Sequence, residues 1–283
     1  MIALLYFLLA ILILPFKSKS RLEAESLGHR HVARGRRCCV RIVVNETLVA
    51  AVGVDVSGDK HPLGLAEGAT ENAATVQALI ENLVERGLDP AAPRLFIIDG
   101  SKAPSNAIRA TFGGEAAIRR RQIDEARNIM DRLPKLMHAQ VRRVLRQAWE
   151  VDDAYKAETL LRNLARRLEK DWKGVSASIL EGLDEMLTVT RIGLPPELRR
   201  SLACTNIIDN IMGTVRRVCW NVKYRRSPSM ALRWAAAAMQ EAAKGFRRLK
   251  AHKQFPLLKA ALAKRKALTT SANPHLVQTA KAA

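Results

Sequence analysis

The sequence predicts an α/β protein: a mixed sheet covered by helices, interrupted by an all-helical segment and followed by a basic helical region. Three observations carry that expectation. The run VRIVVNETLVAAVGVDV (40–56) is rich in β-branched residues and reads as one or two strands. An amphipathic stretch, TENAATVQALIENLVERG (70–87), leads into the apolar strand RLFII (94–98). From about Arg119 to Leu202 strand-like runs vanish, and apolar residues recur at helical spacing instead. Strand, turn, strand, helix, strand and helix in succession imply a sheet with helices packed on it.

The chain opens with an apolar leader, residues 1–16 (MIALLYFLLAILILPF), without a charged side chain. It is shorter than the roughly 20 residues of a spanning helix, and it lacks the basic start and small-residue cleavage site of a signal peptide. A marginal membrane anchor, an uncleaved signal-like segment and foreign sequence joined to another protein are the three readings, the last preferred. The KSKSR that follows would suit a cytoplasmic flank. Residues 17–39 form a basic linker ending in RGRRCC.

The first part of the core spans 40–118. SGDK (57–60) supplies a turn, and HPLGLAE a short partner strand. In the next helix Val76, Leu79, Ile80, Leu83 and Val84 share one face, with Thr70 as N-cap and Gly87 just past the end. LDPAAP is a loop before RLFII. A second helix is expected from near Ala103 to Gly113–Gly114.

Residues 119–202 are expected to be wholly helical. Val141, Val144, Leu145 and Ala148 form one stripe; Ala157, Leu160, Leu161, Leu164 and Leu168 form another. Asp152–Asp153 and Pro195–Pro196 mark breaks. Residues 203–266 hold a loop with Asp209 and a long helix, capped by Ser227–Pro228 and expected to run to about Arg248. Residues 267–283 are a tail.

Charge narrows the function classes. The chain carries 47 Lys+Arg against 27 Asp+Glu, a net +20. A surplus of that size attracts polyanions, nucleic acid first and an anionic membrane surface second. It is concentrated from Met212 to Lys266, where fifteen Lys/Arg face Glu241 alone, a local net of +14. A solvated helix would mix signs at i,i+4 spacing; this one-sided face reads as a phosphate-contacting surface. Cys38, Cys39, Cys204 and Cys219 form no CxxC pair and read as reduced thiols of a cytoplasmic protein.

Asp99 ends the RLFII strand, where a carboxylate reaches into the crevice beyond a sheet. One acid cannot hold the paired Mg²⁺ ions of phosphodiester chemistry, which need acids from separate segments. Asp209 in TNIIDN is a second candidate, with Arg216 and Arg217 a turn or two further on. Arg216, Arg217, Trp220, Lys223, Arg225, Arg226, Arg247 and Arg248 are the candidate DNA-contacting residues, Trp220 by base stacking. Trp149, Trp172 and Trp234 read as core. Asp55 and His61 read as turn residues, Glu46 as hairpin surface and Glu71 as a helix cap. The six histidines show no metal-ligand spacing.

HPLGLAEGATENAATVQALIENLVERGLDPAAPRLFIIDGSKA and MALRWAAAAMQEAAKGFRRLKAHKQF resemble the mutator-type transposases of bacterial insertion sequences, over about Leu48 to Leu262. The resemblance implies an RNase H-like core with a helical insertion before the last acid. It also implies an Asp, Asp and Glu that bind two Mg²⁺ ions, cut element ends and join them to target DNA, in an enzyme that assembles as a homo-oligomer on terminal inverted repeats. By resemblance Asp99 is the second acid. Asp209 takes the slot of the family's Glu in TN-x-x-E-N, one methylene shorter. The first acid is expected near Cys38–Arg41, but no acid lies between Glu25 and Glu46; recruitment of Glu46 or Asp55 is the alternative. The family's Cys and His three residues apart are here Arg121 and Asp124. The resemblance thus implies an impaired transposase, with a non-catalytic DNA-binding remnant or an inhibitor of intact transposase as the alternative.

Overall fold

The computed structural model describes residues 37–44, 48–67, 73–98, 102–203, 213, 214, 217 and 228–272. The β-branched run forms two strands, β1 (Arg37–Val44) and β2 (Leu48–Asp55), and the expected partner follows as β3 (Lys60–Glu67). β1, β2 and β3 pair antiparallel; β4 (Leu95–Ile98) and β5 (Ala117–Arg120) add in parallel beside β1. The five-stranded mixed sheet has the order β3-β2-β1-β4-β5.

Between β3 and β4 lies α1 (Ala73–Glu85), whose Val76, Leu79, Ile80 and Leu83 are buried. Its end matches the glycine signal. Gly87 has φ +95°, its N–H donates to the Val84 carbonyl, and the Leu88 N–H donates to that of Leu83. This is a Schellman closure, and only glycine enters it without strain. Thr70, the expected N-cap, lies outside the described residues. β4 crosses to β5 through α2 (Lys102–Phe112).

β5 is a strand the sequence reading did not contain. AIRR offers two arginines where a buried strand should offer apolar side chains, yet all four residues are buried. Arg119 donates to the Arg199 carbonyl at 3.3 Å, and Arg120 enters the ion cluster described below. Paired arginines satisfy a buried strand, but they erase its apolar signature.

Five helices follow: α3 (Gln122–Met130), α4 (Lys135–Glu150), α5 (Ala154–Glu169), α6 (Lys173–Arg191) and α7 (Pro196–Ala203). Both expected stripes meet in one core, Val141, Leu145 and Ala148 against Leu161, Leu164 and Leu168, with Trp149 and Trp172 packed at its edge. The break at Asp152–Asp153 has a local cause: the Asp153 carboxylate caps α5, accepting from the Tyr155 and Lys156 N–H groups.

The last part differs from expectation. The helix from Pro228, here α8 (Pro228–Lys244), stops before Arg248. At Gly245 the N–H groups of Gly245 and Phe246 bond back to Ala242 and Ala243, and Phe246 turns onto the core. Leu249 then donates to the Gly58 carbonyl at 2.9 Å. A further helix, α9 (Phe255–Ala272), carries the chain past residue 266, where a tail was expected.

The sheet separates two cores. Val40, Ile42, Phe96, Ile98 and Ile118 point to the face covered by α1 and α2. Cys39, Val52, Val54, Leu95 and Ile97 point to the face covered by α7, α8 and α9. Strand alternation alone sorts these residues. Among the described residues no helix is long and apolar enough to cross a membrane; the apolar leader lies outside them.

Candidate nucleic-acid interface and the carboxyl end of the sheet

The carboxyl end of β4 is built tightly. The Arg121 N–H donates to the Ile98 carbonyl at 2.9 Å, tying the end of β5 to that of β4. Glu185 of α6 accepts hydrogen bonds from Ser105 Oγ, from Arg109 Nη2 at 3.2 Å and from Arg120 Nε. Arg120 also reaches Glu125 of α3 at 3.5 Å. Thr188 Oγ1 donates to the Ile118 carbonyl at 2.6 Å. One helix, α6, therefore clamps α2, β5 and α3 together where β4 ends.

Electrostatics fit this arrangement. Burial pushes the Glu125 carboxyl up, with the Arg120 guanidinium opposing it. Burial works against the Arg120 charge as well, but Glu185 and Glu125 outweigh it and hold that charge more firmly than usual. Arg121 and Asp124, which stand where the resemblance leads one to expect Cys and His, form an ion pair at 2.9 Å. A salt bridge thus occupies that position.

Asp99 and Asp209 lie outside the described residues. Their surroundings are described: Asp99 follows Ile98, and the segment carrying Asp209 is flanked by α7 and by Gly213–Thr214. β1 is RCCVRIVV, so the strand beside β4 carries no carboxylate. Among the described residues no three His, Cys, Asp or Glu side chains stand close enough to hold a metal ion. Asp55 is occupied as the sequence suggested. Its Oδ1 accepts from the Ser57 and Asp59 N–H groups, and its Oδ2 meets His61 Nε2 at 3.0 Å.

The second feature is an open cleft of about 1210 Å³ between the turn entering β3, α7, and the end of α8. Lys60, Arg200, Arg217, Lys244, Arg247, Arg248 and Lys250 line it, against Glu197 and Glu241. Lys244 is paired with Glu241 at 2.6 Å, and Arg248 with Asp59 at 2.9 Å. Ser201 and Thr214 also line the cleft, so both flanks of the segment that carries Asp209 border it.

Of the predicted DNA-contacting residues, Arg217, Arg247 and Arg248 come together here, although some thirty positions separate the first from the others. Arg216, Trp220, Lys223, Arg225 and Arg226 lie outside the described residues. Lys60, Arg200 and Lys250 were not anticipated. Each comes from a different element, and nothing in local spacing announces that the β2–β3 turn and α7 will meet the end of α8.

Lys60 pairs with Val54, which stands opposite Cys39, which stands beside Leu95. The cleft wall is therefore level with the first residue of β4, three residues from Ile98, or roughly 10 Å along the strand.

Residues 34–248 match the model of the family described as Transposase, Mutator family. The chain is 26% identical over 197 residues to the transposase for insertion sequence element IST2 of Acidithiobacillus ferrooxidans, covering 70% of this chain and 65% of the relative. It is 28% identical over 192 residues to a probable insertion-sequence transposase of Corynebacterium diphtheriae, covering 63% and 51%. It is 26% identical over 181 residues to the IS256 transposase in transposon Tn4001 of Staphylococcus aureus, covering 62% and 44%. The chain thus spans between 44% and 65% of the length of these relatives.

Proposed function

The chain belongs to the Mutator family of transposases, and from that premise we propose that it is an insertion-sequence transposase that binds duplex DNA through the basic cleft and handles element ends beside β4. The observation that carries the reading is the cleft. Arg200, Arg217, Arg247 and Lys250 line it without an ion pair among the described residues. Uncompensated cations lining a groove suit phosphodiester backbones.

The strand order, three antiparallel strands followed by two parallel ones, supports an RNase H-like core. The five helices between β5 and the segment bearing Asp209 support the reading of residues 119–202 as its helical insertion. In this reading Asp99 and Asp209 are catalytic carboxylates. They would hold Mg²⁺, which when bound activates the attacking oxygen and stabilises the leaving one. The fit to such a site is partial, because the strand beside β4 has no acid to add. Cleavage and strand transfer are therefore expected to be weak and DNA binding intact. Cytoplasmic location and homo-oligomeric assembly on inverted repeats belong to the same reading.

The acid-free β1 favours a second reading, a non-catalytic DNA-binding protein that inhibits intact relatives by mixed assembly. Nicking of supercoiled plasmid in Mg²⁺ separates the two. Nicking that disappears in both Asp99→Asn and Asp209→Asn supports the transposase. Nicking at background in the parent chain, with duplex binding retained, supports the second reading. Failure of the parent chain to bind duplex DNA would refute both.

A further inference from the structure

The helix α4 carries a surface that the cleft does not account for. Lys135, Arg142 and Arg146 fall at i, i+7 and i+11 on one exposed stripe, with Arg143 beside them. Glu150, the last residue, is the only acid in the helix. Arg142 donates to Met130 Sδ at 3.4 Å; none of the four cations forms an ion pair among the described residues. Arg146 follows Arg142 by four positions and Arg143 by three, spacings at which like charges weaken a helix.

The neighbouring α5 is organised differently. Glu158 holds Arg162 at 2.7 Å and Arg191 at 2.9 Å, and Asp153 stands 4.0 Å from Lys156. Both helices carry exposed cations at like-charge spacing, Arg166 and Arg167 in α5 included, but α5 also holds carboxylates that pair some of its cations, whereas no ion pair among the described residues offsets the four on α4.

The place of α4 adds a second argument. The helix ends beside α7, where Arg199 Nη1 donates to the Val151 carbonyl at 3.0 Å and the same guanidinium pairs with Asp152. The next residue, Arg200, lines the cleft. The α4 stripe therefore leads toward the cleft wall, and its sixteen residues extend for about 24 Å, the length of some seven base pairs.

Resting on the reading of the chain as a DNA-binding protein, we propose that Lys135, Arg142, Arg143 and Arg146 form a second phosphate-contacting surface, which extends the DNA track from the cleft along α4. The contacts are to backbone phosphates, so they add affinity and length without sequence preference.

The test measures binding of the full chain to a labelled mixed-sequence duplex of about 40 base pairs, between about 50 and 200 mM salt. The triple variant Arg142→Gln, Arg143→Gln, Arg146→Gln should lose about tenfold or more in affinity, and its log–log salt slope should fall by about two to three. Gln is a good helix former and removes the like-charge repulsion, so a melting temperature no lower than the parent's verifies the fold. The variant with Lys at all three positions should keep the parent slope. A control variant with Arg166→Gln, Arg167→Gln and Lys170→Gln removes equal charge from the end of α5 and the residue that caps it, and should change the slope by less than one. An unchanged slope in the α4 variant, or an equal fall in the α5 control, overturns the inference. If the parent chain binds and only Arg217→Gln with Arg247→Gln lowers the slope, this inference alone falls. If the parent chain does not bind the duplex, the DNA-binding reading falls with it.

Discussion

Glu185 is a buried carboxylate on α6, shared among Ser105, Arg109 and Arg120. Removing one member of a buried ion cluster leaves the others charged and unpaired. Glu185→Ala should cost about 3–5 kcal/mol in unfolding free energy measured by urea titration, while Glu185→Gln, which keeps the shape and one acceptor, should cost less. Glu125, almost wholly buried, should show itself in the pH dependence. Its pKa is raised in the fold, first by burial, so the folded state binds this proton more tightly than the unfolded chain does. Its contribution to stability is therefore greatest below the ordinary glutamate range and declines as pH rises through the raised value. Glu125→Gln should flatten that part of the stability–pH curve, and an unchanged curve would show that Glu125 ionises as an ordinary carboxylate. Gly58 is a backbone counterpart. It has φ +81°, and an added Cβ would lie 2.4 Å from the His252 Cβ. Gly58→Ala should cost at least about 1–3 kcal/mol in thermal or urea unfolding. None of these three residues stood out in the sequence: Glu185 matters through partners 65 to 80 positions away, Gly58 through a turn that meets another segment, and Glu125, though only five positions from Arg120, through a burial that the local pattern does not announce. Asp55 was legible, since Ser57, Asp59 and His61, which bind it, lie within six residues.

At the scale of elements, legibility followed apolar periodicity. α1, β4 and the α4–α5 pair show their buried faces as plain 3.6- or 2-residue patterns. β5 did not, because its two buried arginines break the apolar run, and residues from 119 on were expected to be helical. The end of α8 was misplaced because Gly245 is a weak stop on its own; what fixes it is Phe246 turning inward and Leu249 bonding to Gly58. Element contacts also differ in weight. The Glu158 bridge between α5 and α6 is half exposed, and hydrogen bonds from Arg162 and Arg191 hold its pKa below the usual range. A depressed carboxylate stabilises the fold above its unfolded pKa, and that stabilisation is lost as pH falls through the folded value. After allowance for solvent screening, Glu158→Gln should cost only about 0.2–1 kcal/mol near neutral pH. The difference from the parent chain should close in acid. A cost matching that of Glu185→Ala would contradict the ranking of buried over exposed pairs.

At the scale of the molecule, the cleft and the carboxyl end of β4 are separate places. Lys60 is level with Leu95, roughly 10 Å from Ile98 along the strand, and three strand spacings of about 4.8 Å lie between β3 and β4. A ligand that touches both must extend over nearly 20 Å of surface, which duplex DNA does within about half a turn. Sequence alone showed a basic last quarter and an acid at a strand end, but not the gap between them, because register across β3, β2, β1 and β4 is a property of the folded sheet. That gap has a consequence for metal dependence. In the proposed reading the cleft binds through Arg200, Arg217, Arg247 and Lys250, whose charge owes nothing to a divalent ion. Duplex binding by the parent chain should therefore survive chelation of divalent metals, with affinity unchanged within about twofold at constant ionic strength. It should weaken steeply with salt, by about tenfold or more between 50 and 200 mM, as counterion release requires. Anisotropy titrations with and without chelator measure both. Binding that collapses on chelation would mean that the DNA is held at a metal-bearing end of the sheet and not along the cleft, and the division of labour between the two places would have to be abandoned.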